Sequence, residues 1–370
     1  MIMSKKVLMK GNEAFVRGAI AAGCRAFFGY PITPQNEVPE YMSYLMPEAG
    51  GVFLQAESEV ASINMVYGAA AAGVRVMTSS SSPGISLMQE GISYIAACEL
   101  PCVIVNVQRG GPGLGNIAAS QSDYFQTVKG GGHGDYKLIT LAPWSVSECY
   151  FLTALAFDLA DKYRNPAVIL ADAVVGQMIE PVEVPDKIET HIPPKPWAAA
   201  GRHGRAHKNV VNSLWIDPPV LEELNKRLQA TYARIAENEV RFQEIMIEDA
   251  DLVLVAYGAT ARICRTAAEL ARAEGMKVGL FRPISLFPFP IEQIRQLALG
   301  GRRFLVVEMS HGQMLEDVRL AVEGTSKVDF YGRSGGVVPT PNEILEQIRL
   351  KYSYGETADM NKPNRSVVPE

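Results

Sequence analysis

Cysteine is sparse and scattered in this chain. Only five of its 370 residues are cysteine: Cys24, Cys98, Cys102, Cys149 and Cys264. Cys98 and Cys102 alone stand close, among the core-like neighbours Ala97, Leu100 and Val103. That pattern lacks the repeated close spacing of an iron–sulfur ligand set, so the thiols read as reduced and buried. Runs of Lys and Arg are also missing and the net charge is -5, which argues against a nucleic-acid partner or an anionic membrane surface. Long apolar runs are absent too. The most apolar window, Val60 to Val76, is broken by Ser62, Asn64 and Arg75, so no membrane span is expected. Met1 to Glu13 carries no sustained apolar stretch of the secretory kind, which makes the cytoplasm the expected location. The glycines nowhere form GxGxxG, and a dinucleotide fingerprint is unsupported.

What is present is a strand–helix alternation from about Gly18 to Leu170. Strands are expected at Ala26–Gly29, Val52–Gln55, Arg75–Thr78, Cys102–Val107, Lys137–Leu141 and Ala167–Leu170, with helices at Gly11–Ala22, Val38–Leu45, Glu59–Ala72, Ile85–Ala97 and Ser145–Tyr163. Such alternation predicts an α/β fold, a parallel sheet with helices on both faces. Prolines then crowd residues 179 to 219 (Pro181, Pro185, Pro193, Pro194, Pro196, Pro218, Pro219), with His191, His203 and His207 between them. That composition reads as a connecting arm, and the histidines lack metal-ligand spacing. A long amphipathic helix is expected from Leu221 to about Ile247, since Leu224, Leu228, Tyr232, Ile235 and Phe242 recur at helical spacing. A second α/β unit follows, with strands at Leu252–Ala256, Lys277–Phe281, Phe304–Glu308 and Val328–Tyr331, and a polar tail after Tyr352. The expected division is therefore 1–178, an arm and helix over 179–248, a second unit over 249–352, and a tail over 353–370.

Three places could carry chemistry. Glu59 opens a segment, Val60 to Gly73, that is small or apolar nearly all round, the composition of a buried helix. A carboxylate in its first turn sits at the positive end of the helix dipole. Residue patterning leaves open whether Glu57 or Glu59 merely complements that helix end. The loop Pro31-Ile32-Thr33-Pro34 is stiffened by two prolines that fix where the Thr33 hydroxyl points, although a plain turn has the same composition. Arg109 ends an apolar strand and opens Gly110-Gly111-Pro112-Gly113-Leu114-Gly115-Asn116, a placement suited to gripping a carboxylate. His133, in another Gly-rich loop, has no assignable role.

Taken together these residues carry a resemblance. Tyr30 to Pro34, Ser58-Glu59, Ser80 to Leu87 and Gln108 to Pro112 resemble the α subunit of 2-oxoacid:ferredoxin oxidoreductases. Arg282 to Pro288 and Val307 to Gln313 resemble that family's transketolase C-terminal-type domain, and the likeness runs in order from about residue 8 to 350. Gly110 to Asn116 and Lys129 to Tyr136 are most similar to the branched-chain (2-oxoisovalerate) members, with the 2-oxoglutarate type next. The resemblance implies a thiamine-diphosphate pyrimidine-binding domain followed by a transketolase C-terminal-like α/β domain. It also implies roles for matched positions. Glu59 falls where a glutamate hydrogen-bonds N1′ of the thiamine pyrimidine, favouring the tautomer that can take the thiazolium C2 proton. Thr33 and Arg109 match positions that hold the substrate carboxylate, and Pro31 lies where the loop touches cofactor. Glu57 has no such match.

The diphosphate-and-Mg²⁺ motif, Gly-Asp-Gly followed at a distance by Asn, is only mimicked by Gly134-Asp135-Tyr136 and Asn165, because Tyr136 replaces the last glycine and no apolar strand precedes Gly134. The chain is therefore expected to supply the pyrimidine side alone. The resemblance implies a β subunit bearing the diphosphate and Mg²⁺ site, γ and δ (ferredoxin-like) subunits with iron–sulfur clusters, and ferredoxin as electron acceptor. The implied reaction turns a 2-oxoacid and coenzyme A into acyl-CoA and CO₂. A catalytically silent subunit of the same fold is the rival reading, and the intact Thr33, Glu59 and Arg109 set argues against it.

Overall fold

The computed structural model describes residues 4–185, 188–190 and 192–360; His191 and tail residues 361–370 lie outside that set. In chain order the first part runs β1 (Ser4–Lys10), α1 (Gly11–Ala21), β2 (Ala26–Gly29), α2 (Glu37–Glu48), β3 (Val52–Gln55), α3 (Glu59–Ala71), β4 (Val76–Ser80), α4 (Ser82–Ala97) and β5 (Val103–Gln108). A π-helical turn at Gln126–Gly130 leads to β6 (Ile139–Leu141), α5 (Val146–Tyr163), β7 (Ala167–Asp172), α6 (Ala173–Gln177) and β8 (Ile179–Pro185). After the arm come α7 (Pro218–Asn238), β9 (Phe242–Ile245), β10 (Leu252–Val255), α8 (Gly258–Ala273), β11 (Val278–Pro283) and β12 (Ser285–Phe287). The chain ends with α9 (Ile291–Leu299), β13 (Arg303–Glu308), α10 (Gln313–Val322), β14 (Val328–Gly332) and α11 (Pro341–Met360).

Strands β2 to β7 form a parallel sheet in the order β6-β7-β5-β4-β2-β3. Its inner strands β4, β5 and β7 are buried along their whole length, as apolar runs such as Val103 to Val107 require when helices cover both faces. The chain leaves β2 outward to β3, then crosses back so that β4 lies on the other side of β2. That reversal makes a crevice at the carboxyl ends of β2 and β4, where ligands of open α/β sheets bind.

A second sheet, ordered β14-β13-β10-β11-β9, is parallel except for the edge strand β9. One of its faces packs Val253, Val255 and Phe281 against α9 and α10; the other packs Leu252, Leu254 and Leu280 against α8 and α11. The two sheets are tied together. Short β12, from the second half of the chain, pairs antiparallel with β6 and extends the first sheet. Arg282 is buried, donates to both Glu148 carboxylate oxygens at 2.7 and 2.6 Å, and stacks on Trp144 with 4.1 Å to the ring centroid. Asp172 accepts from Val175 N at 3.0 Å and Ala259 N at 2.8 Å, so one carboxylate caps α6 and the start of α8. Burial pushes the Asp172 carboxyl up to about 6 despite these donors.

Three expectations need correction. Residues 179–185 are not free arm but β8, paired antiparallel with β1, and Pro181 and Pro185 are tolerated because the pair is a two-stranded edge. The long helix stops at Asn238, well before Ile247. Glu239, just beyond it, turns inward to Lys162 at 2.7 Å, Tyr163 at 2.6 Å and Arg241 at 2.9 Å, and Phe242 then belongs to β9. The last helix continues to Met360, past Tyr352. All five cysteines are free thiols, four of them buried and Cys98 half-buried. Among the described residues no helix is long and apolar enough to cross a membrane.

Candidate active site

All three sequence-predicted places fall at the carboxyl ends of four adjacent strands: Arg109 after β5, Ser80 to Ser82 after β4, Pro31 to Thr33 after β2, and Glu59 after β3. Parallel pairing alone brings them together, because each strand delivers its following loop to the same edge.

Glu59 is the first residue of α3. Ser58 caps that helix, its hydroxyl accepting from Ala61 N at 3.2 Å, and so fixes where the carboxylate emerges. Glu59 is only 5% exposed, and among the described residues its carboxylate receives one long contact, from Ser80 Oγ at 3.5 Å. Space for it is made by Gly84. A Cβ there would lie 2.4 Å from Glu59 Oε1 and 2.0 Å from Ser80 Oγ. A buried carboxylate with so little compensation inside its own chain is costly unless something else hydrogen-bonds it. Glu57, two residues earlier, is exposed, which separates the two acids as structure as well as by motif.

Arg109 is 6% exposed. Its guanidinium donates to Thr33 O at 2.9 Å and Leu114 O at 3.1 Å, clamping the Thr33 loop to the Gly-rich loop, and its buried Nε has no partner among the described residues. A guanidinium has five N–H donors, and these two contacts use two of them. The Thr33 hydroxyl accepts from Asn36 Nδ2 at 3.0 Å and keeps its own proton to donate. Pro31 stands exposed on the same loop. Behind the loop, Asn12 and Gln177 both donate to Pro34 O (2.9 and 2.8 Å) and to Glu37 Oε2 (2.8 and 2.9 Å), while Lys10 reaches Glu37 Oε1 at 2.7 Å. Burial works to raise the Glu37 carboxyl, but these donors outweigh it and hold it below the usual range.

A cleft of about 570 Å³ opens beside Thr33 and Pro34, between Ile117 to Ala119 and the Gly336 to Val338 loop; Glu59 and Arg109 do not line it. His133 lies elsewhere. Its carbonyl accepts from Ser93 on α4, about 16 Å along that helix from Ser82 at 1.5 Å per residue. Asp135 is exposed, and Asn165 is buried with its Nδ2 donating to Lys137 O at 3.0 Å. Sequence reasoning gave no role to Ser80, Ser82, Gly84 and Asp123. The run Ser79 to Ser82 at a strand–helix break was the available signal; Asp123 offered none.

Residues 17–239 match the family described as pyruvate flavodoxin/ferredoxin oxidoreductase, thiamine-diphosphate-binding, and residues 250–344 match pyruvate:ferredoxin oxidoreductase core domain II. The chain is 56% identical to ketoisovalerate oxidoreductase subunit VorB of Methanothermobacter thermautotrophicus, over 92% of its own length and 97% of that protein's. It is 40% identical to 2-oxoglutarate synthase subunit KorA of Methanothermobacter marburgensis, over 94% and 99% of the two chains. Among solved structures it matches the 2-oxoglutarate:ferredoxin oxidoreductase of Magnetococcus marinus with a TM-score of 0.85 and 28% identity, covering 94% of this chain and 65% of that one. With a family model over more than half of its length and relatives 56% and 40% identical along nearly the whole of it, this chain belongs to the 2-oxoacid:ferredoxin oxidoreductases, as an α-type subunit.

Proposed function

We propose that the chain is the pyrimidine-side subunit of an enzyme that oxidatively decarboxylates 2-oxoisovalerate, joining the acyl product to coenzyme A and passing two electrons singly to ferredoxin. The observation that supports this is the Glu59 carboxylate, buried at a helix start with one long hydrogen bond among the described residues, at the same carboxyl-end edge of the sheet as Arg109 and Thr33. Those residues fit thiamine diphosphate on the pyrimidine side. When bound, the cofactor supplies the electron sink for the pair left by decarboxylation. Glu59 holds a proton shared with N1′ of the pyrimidine, relieving its own burial. Arg109 and the Thr33 hydroxyl hold the 2-oxoacid carboxylate and orient it for loss as CO₂. Pro31 presents a rigid apolar surface to the cofactor. The branched-chain substrate is supported by the 56% identical ketoisovalerate relative. A β subunit carrying the diphosphate and Mg²⁺ site, and γ and δ subunits carrying iron–sulfur clusters, complete the assembly. In this reading 1–178 forms the pyrimidine domain and 249–352 the transketolase C-terminal-like domain.

The test is anaerobic purification of the tagged chain from cells that make it, followed by viologen reduction with 2-oxoisovalerate, 2-oxoglutarate, pyruvate and an arylpyruvate, with and without coenzyme A. Coenzyme A-dependent reduction fastest with 2-oxoisovalerate is expected. A preference for 2-oxoglutarate overturns the substrate, and co-purified partners without any turnover overturn the activity.

A further inference from the structure

Ser82 begins α4 and touches Arg109 from below. Its hydroxyl accepts from the Arg109 backbone N–H at 3.1 Å and donates to Asp123 Oδ2 at 2.6 Å. Asp123 is in turn held by Asn106 Nδ2 at 2.9 Å, while its own N–H donates to Gln108 Oε1 at 3.1 Å. Burial pushes the Asp123 carboxyl above its usual range, partly offset by the Ser82 and Asn106 donors. A buried acid held at that cost beside a substrate-binding loop asks for a reason. The same short segment touches Glu59 through Ser80 and Gly84. Segment Ser80 to Gly84 is thus the joint between the two reactive ends of the site.

We propose that Ser82 and Asp123 are positioning residues for Arg109. Asp123 fixes the Ser82 hydroxyl, and Ser82 fixes the Arg109 backbone so that its guanidinium spans Thr33 and Leu114 with its remaining donors free for the 2-oxoacid carboxylate. This rests on Arg109 being the carboxylate grip, and a double-mutant cycle separates the two ideas.

In the assembled enzyme, Ser82→Ala is expected to raise KM for the 2-oxoacid about tenfold, the size of one lost buried hydrogen bond, with KM for coenzyme A unchanged. Asp123→Ala moves KM the same way, and Asp123→Asn restores it, because an amide oxygen can take both donors. In an Arg109→Ala background Ser82→Ala adds nothing. If Arg109→Ala leaves KM for the 2-oxoacid unchanged, the grip itself fails. If Arg109→Ala raises it while Ser82→Ala does not, or if the two effects multiply independently, the positioning role is refuted.

Discussion

Replacing Gly84 by alanine tests whether the Glu59 carboxylate must sit where it does. The new Cβ would stand 2.4 Å from Glu59 Oε1 and 2.0 Å from Ser80 Oγ, where ordinary contact begins at 3.4 Å. Relief therefore demands that the carboxylate retreat by about 1 Å, or that α4 shift by a similar amount. Overpacking of this kind costs about 1–3 kcal/mol, partly offset by the ~1 kcal/mol that alanine gains over glycine in a helix. The protein stays folded. A misplacement of about 1 Å at a reacting group costs on the order of 10²-fold in rate, so kcat should fall by about that factor. The direct assay is exchange of the thiamine diphosphate C2 proton for deuterium in the assembled enzyme, quenched in acid and read by NMR. Exchange should slow in step with kcat. A folded Gly84→Ala enzyme exchanging at the wild-type rate refutes the claim that Glu59 acts from this pocket.

Glu59→Gln should leave assembly intact and slow the same exchange by several orders of magnitude, whereas Glu57→Gln, on an exposed side chain, should stay within about twofold; equal losses in both would refute the assignment. Asp172 links stability to pH. Its native carboxyl titrates at about 6 against 3.8 for an unperturbed one, so the native state binds the extra proton and this contribution is lost as pH rises from about 4 through 6. Denaturant titrations should find Asp172→Asn most destabilised relative to wild type near pH 4, with the gap shrinking by roughly 3 kcal/mol above pH 6; a gap that widens with pH contradicts this. Arg282→Lys keeps the charge but loses the fork to Glu148 and the stack on Trp144, and should lower stability by about 2 kcal/mol in the same titration.

Much of the site was legible because its elements obey local rules. Ser58-Glu59 before an Ala/Gly-rich run announces a capped helix start, and α3 begins where that pattern says; the expectation of burial all round fails, because α3 buries only Glu59, Ser62, Ile63, Val66 and Ala70 and leaves Val60 46% exposed. Glu59 could be told from Glu57 only by motif, since patterning does not say which of two acids faces inward. The Ser82–Asp123 contact was invisible for a different reason: its partners lie 41 residues apart and meet through the order of β4 and β5. The missed strands share that cause. In β8 the ladder to β1 overrides the prolines at 181 and 185, and β9 continues an apolar periodicity that α7 abandons at Glu239 to satisfy a buried acid. Strand β12 is three residues long and exists only because β6 offers an edge.

That last pairing bears on how the chain can be made and divided. The free edge of β6 is capped by a strand emerging roughly 140 residues later, so during synthesis at about 5–20 residues per second it waits on the order of ten seconds uncovered. A nascent or truncated chain ending before residue 285 presents an unpaired strand edge, the template for association with other chains. The first sheet is therefore completed by the second half of the polypeptide. A fragment cut between α7 and β10 should be an aggregation-prone species, whatever the quality of its own core.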